Sequence, residues 1–139
     1  MSNKKRNIAL VLLIIVIILL GFFSVLYFKN LNKKSENDYI SEFTKMGEEF
    51  YSNYYYRVIS TDKTDEQVKE YLSKFNTLGL KIDLNELEKY NDEYKNVIEN
   101  FTNDYKYCKK DETMIIIYPK EPYSNSDYEL NIKMDCNKN

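Results

Sequence analysis

The spacing of apolar residues changes twice along the chain. From Ile8 to Phe28 the stretch IALVLLIIVIILLGFFSVLYF runs 21 residues without a charge. At ~1.5 Å per helical residue it covers roughly 30 Å, the thickness of a bilayer's hydrocarbon core. A soluble helix keeps a polar face over such a length, so the pattern predicts a transmembrane helix over 8–28 behind a short basic tail at 1–7. Residues 29–37 are polar, and Asn30, Asn32 and Asn37 favour a bend there, in a juxtamembrane linker. A domain over 38–139 follows.

Inside that domain the apolar spacing becomes three and four, the period of an amphipathic helix. Ser35 followed by Asp38 reads as a capped start, and Tyr39/Ile40, Phe43, Met46/Gly47, Phe50/Tyr51, Tyr54 and Val58 trace one face of a helix ending near Ile59. Thr64 caps a second helix with Asp65 and Glu66 in its first turn, buried through Val68, Tyr71, Leu72 and Phe75 and stopped at Gly79. Asp83-x-x-Glu86 opens a third pattern, Leu84, Leu87, Tyr90/Asn91, Tyr94, Val97/Ile98 and Phe101, which Asn91 and Asp92 are able to divide in two.

Towards the C-terminal end the period falls to two. Met114–Pro119 is β-branched and ends at a proline, and Tyr128, Leu130, Ile132, Met134 and Cys136 alternate with Glu129, Asn131, Lys133 and Asp135. The two segments form an antiparallel hairpin around the loop KEPYSNSD. Pairing Tyr118 with Tyr128 gives a register in which partner numbers sum to about 246, which brings Cys136 opposite a position close to Cys108. The expected fold is α+β: three or four amphipathic helices packed on a C-terminal hairpin closed by a Cys108–Cys136 disulfide, behind one transmembrane helix. Such a bridge is worth about 3.5 kcal/mol on a chain-entropy model and places the domain in an oxidising compartment.

The basic residues divide the chain. Lys4, Lys5 and Arg6 precede the apolar run and Lys29, Lys33 and Lys34 follow it, so charge alone leaves orientation tied. The α-amino group, the dense basic tail and the cysteines together favour a cytoplasmic N-terminus and an extracytoplasmic domain at the plasma membrane. No small-residue cleavage site follows the apolar run and no Cys ends it, so the segment is expected to stay as a signal-anchor. From Ser35 onward the chain carries 14 basic and 22 acidic residues, a net charge of −8 without a basic stripe, which argues against nucleic acid as a partner. The bias toward Lys, Asn, Ile and Tyr reads as low-GC bacterial coding.

The sequence has no His, which removes His-dependent nucleophile systems and His-based zinc sites. No phosphate-cradling glycine motif occurs, and the acidic doublets Glu48/Glu49, Asp65/Glu66 and Asp92/Glu93 fall at helix starts or on polar faces. Hence no catalytic residue, metal site or cofactor is expected. Three adjacent tyrosines cannot all face one core, so within the group Tyr51, Tyr54, Tyr55 and Tyr56 at least one is expected at the surface, as contact material for an envelope protein or glycan.

An apolar N-terminal helix, a helical middle and a disulfide-closed hairpin resembles, in outline, the type IV pilin and pseudopilin architecture. The glycine before the apolar run and the Glu inside it that mark those proteins are missing, since Asn7 precedes Ile8 and the first acid is Glu36. The leading expectation is a non-enzymatic interaction or accessory protein of a bacterial envelope. A pilin-like assembly subunit, favoured by an anchor helix continuous through Lys29–Asn37, is one alternative. A carboxylate-based cell-wall glycan enzyme, needing two acids across a cleft, is the other.

Overall fold

A computed structural model describes residues 3–31 and 33–136 of the chain. It divides into two units, Met1–Lys34 and Ser35–Asn139. In the first unit, α1 (Asn3–Leu31) is a single helix whose stretch Val11–Phe28 is long and apolar enough to cross a membrane. Its Ser24 hydroxyl donates to the Leu20 carbonyl at 2.7 Å, so that polar group is satisfied within the helix.

The second unit begins with a capping box. Ser35 accepts from the Asp38 amide while the Asp38 carboxylate accepts from the Ser35 amide at 3.0 Å, satisfying the orphan donors at the start of α2 (Glu36–Glu49). Helix α2 is therefore a new start, and Lys33–Ser35 are not helical. The helix continuous through Lys29–Asn37 that would favour a pilin-like reading is not present among the described residues. From Phe50 to Tyr55 the winding loosens to a π-helical segment and then tightens again as α3 (Tyr56–Ser60). Hydrogen bonds from i to i+5 take in one extra residue, which shifts the phase of everything downstream. Ile59 is therefore buried (8 % exposed) and Val58, expected inside, is 71 % exposed.

Thr64 and Gln67 form a second capping box ahead of α4 (Asp65–Ser73), which buries Val68 and Leu72. Gly79 then turns the chain at φ +71, a conformation that costs glycine little. Immediately after it the structure departs from the expected helices. Leu80–Asp83 is a strand, β1, and Asp83 both ends it and caps the short α5 (Leu84–Leu87). Helix α6 (Asp92–Asp104) starts separately under an Asn91 cap. The domain thus holds five α-helical stretches, α2 to α6, among its described residues.

Strands β2 (Met114–Pro119) and β3 (Tyr128–Lys133) form the expected hairpin, and β1 adds to it, giving an antiparallel sheet of order β1-β2-β3. Pro119 pairs with Tyr128 and Ile115 with Ile132, so partner numbers sum to 247, one more than expected. Because side chains alternate, that single step decides the face: Ile115, Ile117 and Pro119 point inward with Tyr128, Leu130 and Ile132, while Met114, Ile116 and Tyr118 lie on the other side. The loop fixes this register through the Lys120 amide, which donates to the Asp127 carbonyl at 2.8 Å.

Helix α2 packs on β2 and β3 from the inward face, with α6 beside it. It comes so close at Gly47 that an added Cβ would sit 2.7 Å from both Ile115 and Leu130 side-chain atoms. The core between the layers contains an aromatic cluster, where Phe43 and Phe101 meet edge to face at 5.0 Å and Tyr39 meets Phe101 at 5.2 Å. Leu72, Leu84, Leu87, Ile98, Ile115 and Ile117 are fully buried in the same core. Each such side chain contributes about 1.5–3 kcal/mol by leaving water. Cys108 and Cys136 are joined, with their Cα atoms 4.2 Å apart.

Candidate functional site

The tyrosine group does not form an exposed patch. Tyr51 is completely buried, and Tyr54, Tyr55 and Tyr56 are all half-buried against the core. The expectation that one of the three adjacent rings must stand in solvent assumed a regular helix. The π-helical winding spreads them instead: Tyr55 stacks on Tyr51 at 6.1 Å, Tyr56 approaches Tyr51 at 6.2 Å, and Tyr54 leans on Tyr90 at 5.2 Å. Tyr55 also shares a 3.2 Å hydroxyl–hydroxyl hydrogen bond with Tyr71, tying the π-helical segment to α4. Burial pushes the Tyr51 and Tyr55 phenols well above their ordinary range, and the Tyr71 hydrogen bond adds to the rise at Tyr55.

The carboxylate doublets take structural places. Asp65 and Glu66 lie in the first turn of α4, Asp92 and Glu93 in the first turn of α6, where they meet the positive end of the helix dipole. Glu49 accepts a 2.7 Å hydrogen bond from Tyr94, whose phenol is raised by burial and then by that carboxylate.

The feature that gathers chemistry is a cleft of about 350 Å³ between the sheet and the π-helical segment. It is lined by Leu80, Lys81 and Ile82 of β1, Phe50 and Tyr55 of the π-helical segment, and Ile117 of β2. Glu86, Lys89 and Tyr90, at and just beyond α5, close one end. Phe50 and Tyr90 meet edge to face at 4.8 Å, and Tyr90 keeps 43 % of its surface exposed. The cleft offers apolar and aromatic surface, two ammonium groups and one carboxylate. Glu86 is the acid that lines it.

Of the tyrosines singled out in the sequence, Tyr55 alone lines this cleft. Leu80, Lys81, Ile82, Glu86, Lys89 and Tyr90 were missed because no element was assigned to 80–82, between the helix stopped at Gly79 and the one opened at Asp83. The alternation Leu80-Lys81-Ile82-Asp83 directly after a turn glycine was the available signal. Compared with known proteins, the chain matches no family profile, no curated protein and no solved structure.

Proposed function

We propose that the chain is a single-pass protein of a bacterial plasma membrane that displays its Ser35–Asn139 unit outside the cell, as a non-enzymatic interaction or accessory module. The observation that carries this reading is the coexistence of the apolar helix Val11–Phe28 with the Cys108–Cys136 disulfide. The helix supplies an anchor of bilayer length. Disulfides persist in oxidising compartments and are reduced in the cytosol, which supports the outer side where the tied count of flanking basic residues favours neither. The interaction role is supported by a cleft suited to binding and by a chain without histidine.

Thiol labelling in intact cells tests it. A membrane-impermeant maleimide should label Cys108 and Cys136 only after an impermeant reductant has been added. Free thiols that react only after lysis would place the domain in the cytoplasm and end this reading.

A further inference from the structure

The cleft opens onto a strand edge. Leu80, Lys81 and Ile82 all line it, although alternation turns Lys81 to the opposite face from Leu80 and Ile82. A wall that includes both faces of a strand includes its edge. β1 lies at the end of the sheet and pairs, among the described residues, with β2 alone. Half of its backbone N–H and C=O groups therefore point away from the ladder, as a ready template for another strand.

We infer that β1 receives an extended polypeptide segment as a fourth strand, one that carries aliphatic residues on the face over the cleft and an acidic residue beside Lys81. This rests on reading the chain as an interaction protein, and it names the form of the partner. Strand addition continues the two faces of the sheet outward. On the inward face the next positions lie beside Leu80 and Ile82, over Phe50 and Tyr55, where an aliphatic side chain fills the cleft. On the outward face they lie beside exposed Lys81, where a carboxylate is favoured and a lysine repelled. Lys89 at the end of the cleft adds a second positive charge against the single Glu86. Asp83, two residues further along the same outward face, confines the preference for an acid to the one position beside Lys81. Lys81 also keeps the edge from pairing with unselected strands. The aromatic rings are already engaged with one another, Phe50 with Tyr90 and Tyr54 with Tyr90, so the unpaired backbone rather than an open ring face is the ordered surface for hydrogen bonding.

The test uses the full chain in detergent micelles and a random heptapeptide library displayed on phage. Enriched peptides are expected to carry aliphatic residues at alternate positions with an acidic residue between two of them, and as synthetic peptides to slow amide exchange within Leu80–Asp83 by at least about tenfold. Backbone N-methylation of the same peptides should weaken binding by about tenfold or more, because it removes ladder donors. The surface variant Lys81→Glu/Lys89→Glu should weaken it by about tenfold with the fold intact, and Tyr90→Ala by several-fold. The inference is overturned if no peptide enriches, or if peptides bind without protecting β1. It is equally overturned if N-methylated peptides bind as well, if peptidoglycan oligosaccharides protect the cleft in their place, or if β1 is protected by a second copy of the chain alone. Because binding is read on purified protein, its failure is separate from an inward result in the thiol-labelling experiment.

Discussion

The Tyr94 hydroxyl donates a 2.7 Å hydrogen bond to Oε2 of Glu49, fastening α6 to the end of α2. Tyr51 differs: its hydroxyl is buried and makes no hydrogen bond among the described residues. Tyr94→Phe should therefore cost about 1.5–3 kcal/mol, the worth of a bond to a charged acceptor, while Tyr51→Phe should be neutral or stabilising because it removes an unsatisfied group. Urea unfolding of the full chain in micelles, followed by circular dichroism, distinguishes them. Equal losses would contradict the assignment.

Alkali should unfold the domain. The phenols of Tyr39, Tyr51, Tyr55 and Tyr94 are all raised from the ordinary value of 10.0, in each case chiefly by burial. A raised folded-state pKa contributes stability in full below pH 10, where the unfolded phenol is still protonated, and loses it as pH climbs beyond 10 and the unfolded chain ionises. The urea midpoint is expected to stay level between pH 7 and 9 and then fall, with absorbance at 295 nm rising together with unfolding. Complete tyrosine ionisation in a chain that stays folded would refute this.

The π-helical segment sets the phase of the helix after it. Val58→Lys should change stability by no more than about 0.5 kcal/mol, whereas Ile59→Lys, which buries a charge beside the core, should unfold the domain or cost several kcal/mol. A regular helix would reverse the ranking. Thermal melts of the two variants decide it.

Reduction, or paired Cys108→Ser/Cys136→Ser substitution, opens a loop with a sequence separation of 28 residues. The expected loss is about 3.5 kcal/mol. A fall in urea midpoint of matching size, with an unchanged spectrum in water, is the expected result.

What was legible in the sequence was whatever local chemistry writes at one position or with one period. Ser35 and Thr64 announce their capping boxes because a cap needs a particular oxygen three residues ahead of a particular amide. Strand β3 shows itself by unbroken alternation, and the cysteines by a register that either parity brings close. The π-helical segment left no local mark, since the tyrosines that form it suit a regular helix equally well and only their packing on Tyr128 and Tyr90 separates the two windings. Strand β1 was hidden by the dual use of Asp83, which ends a strand and caps a helix in one residue. The cleft followed β1 out of sight, so Tyr55 was singled out while the strand facing it was not.

The bond between Cys108 and Cys136 also decides how the domain bears load. If the chain is stretched between Ser35 and Cys136, tension crosses from sulfur to sulfur and bypasses β2 and β3. Roughly 95 Å of contour, at about 3.4 Å per residue, then never pays out. Helices α2 to α6 and β1 lie in the path of the pull and β2 does not, so under force the sheet parts between β1 and β2 while the hairpin remains folded inside its covalent ring.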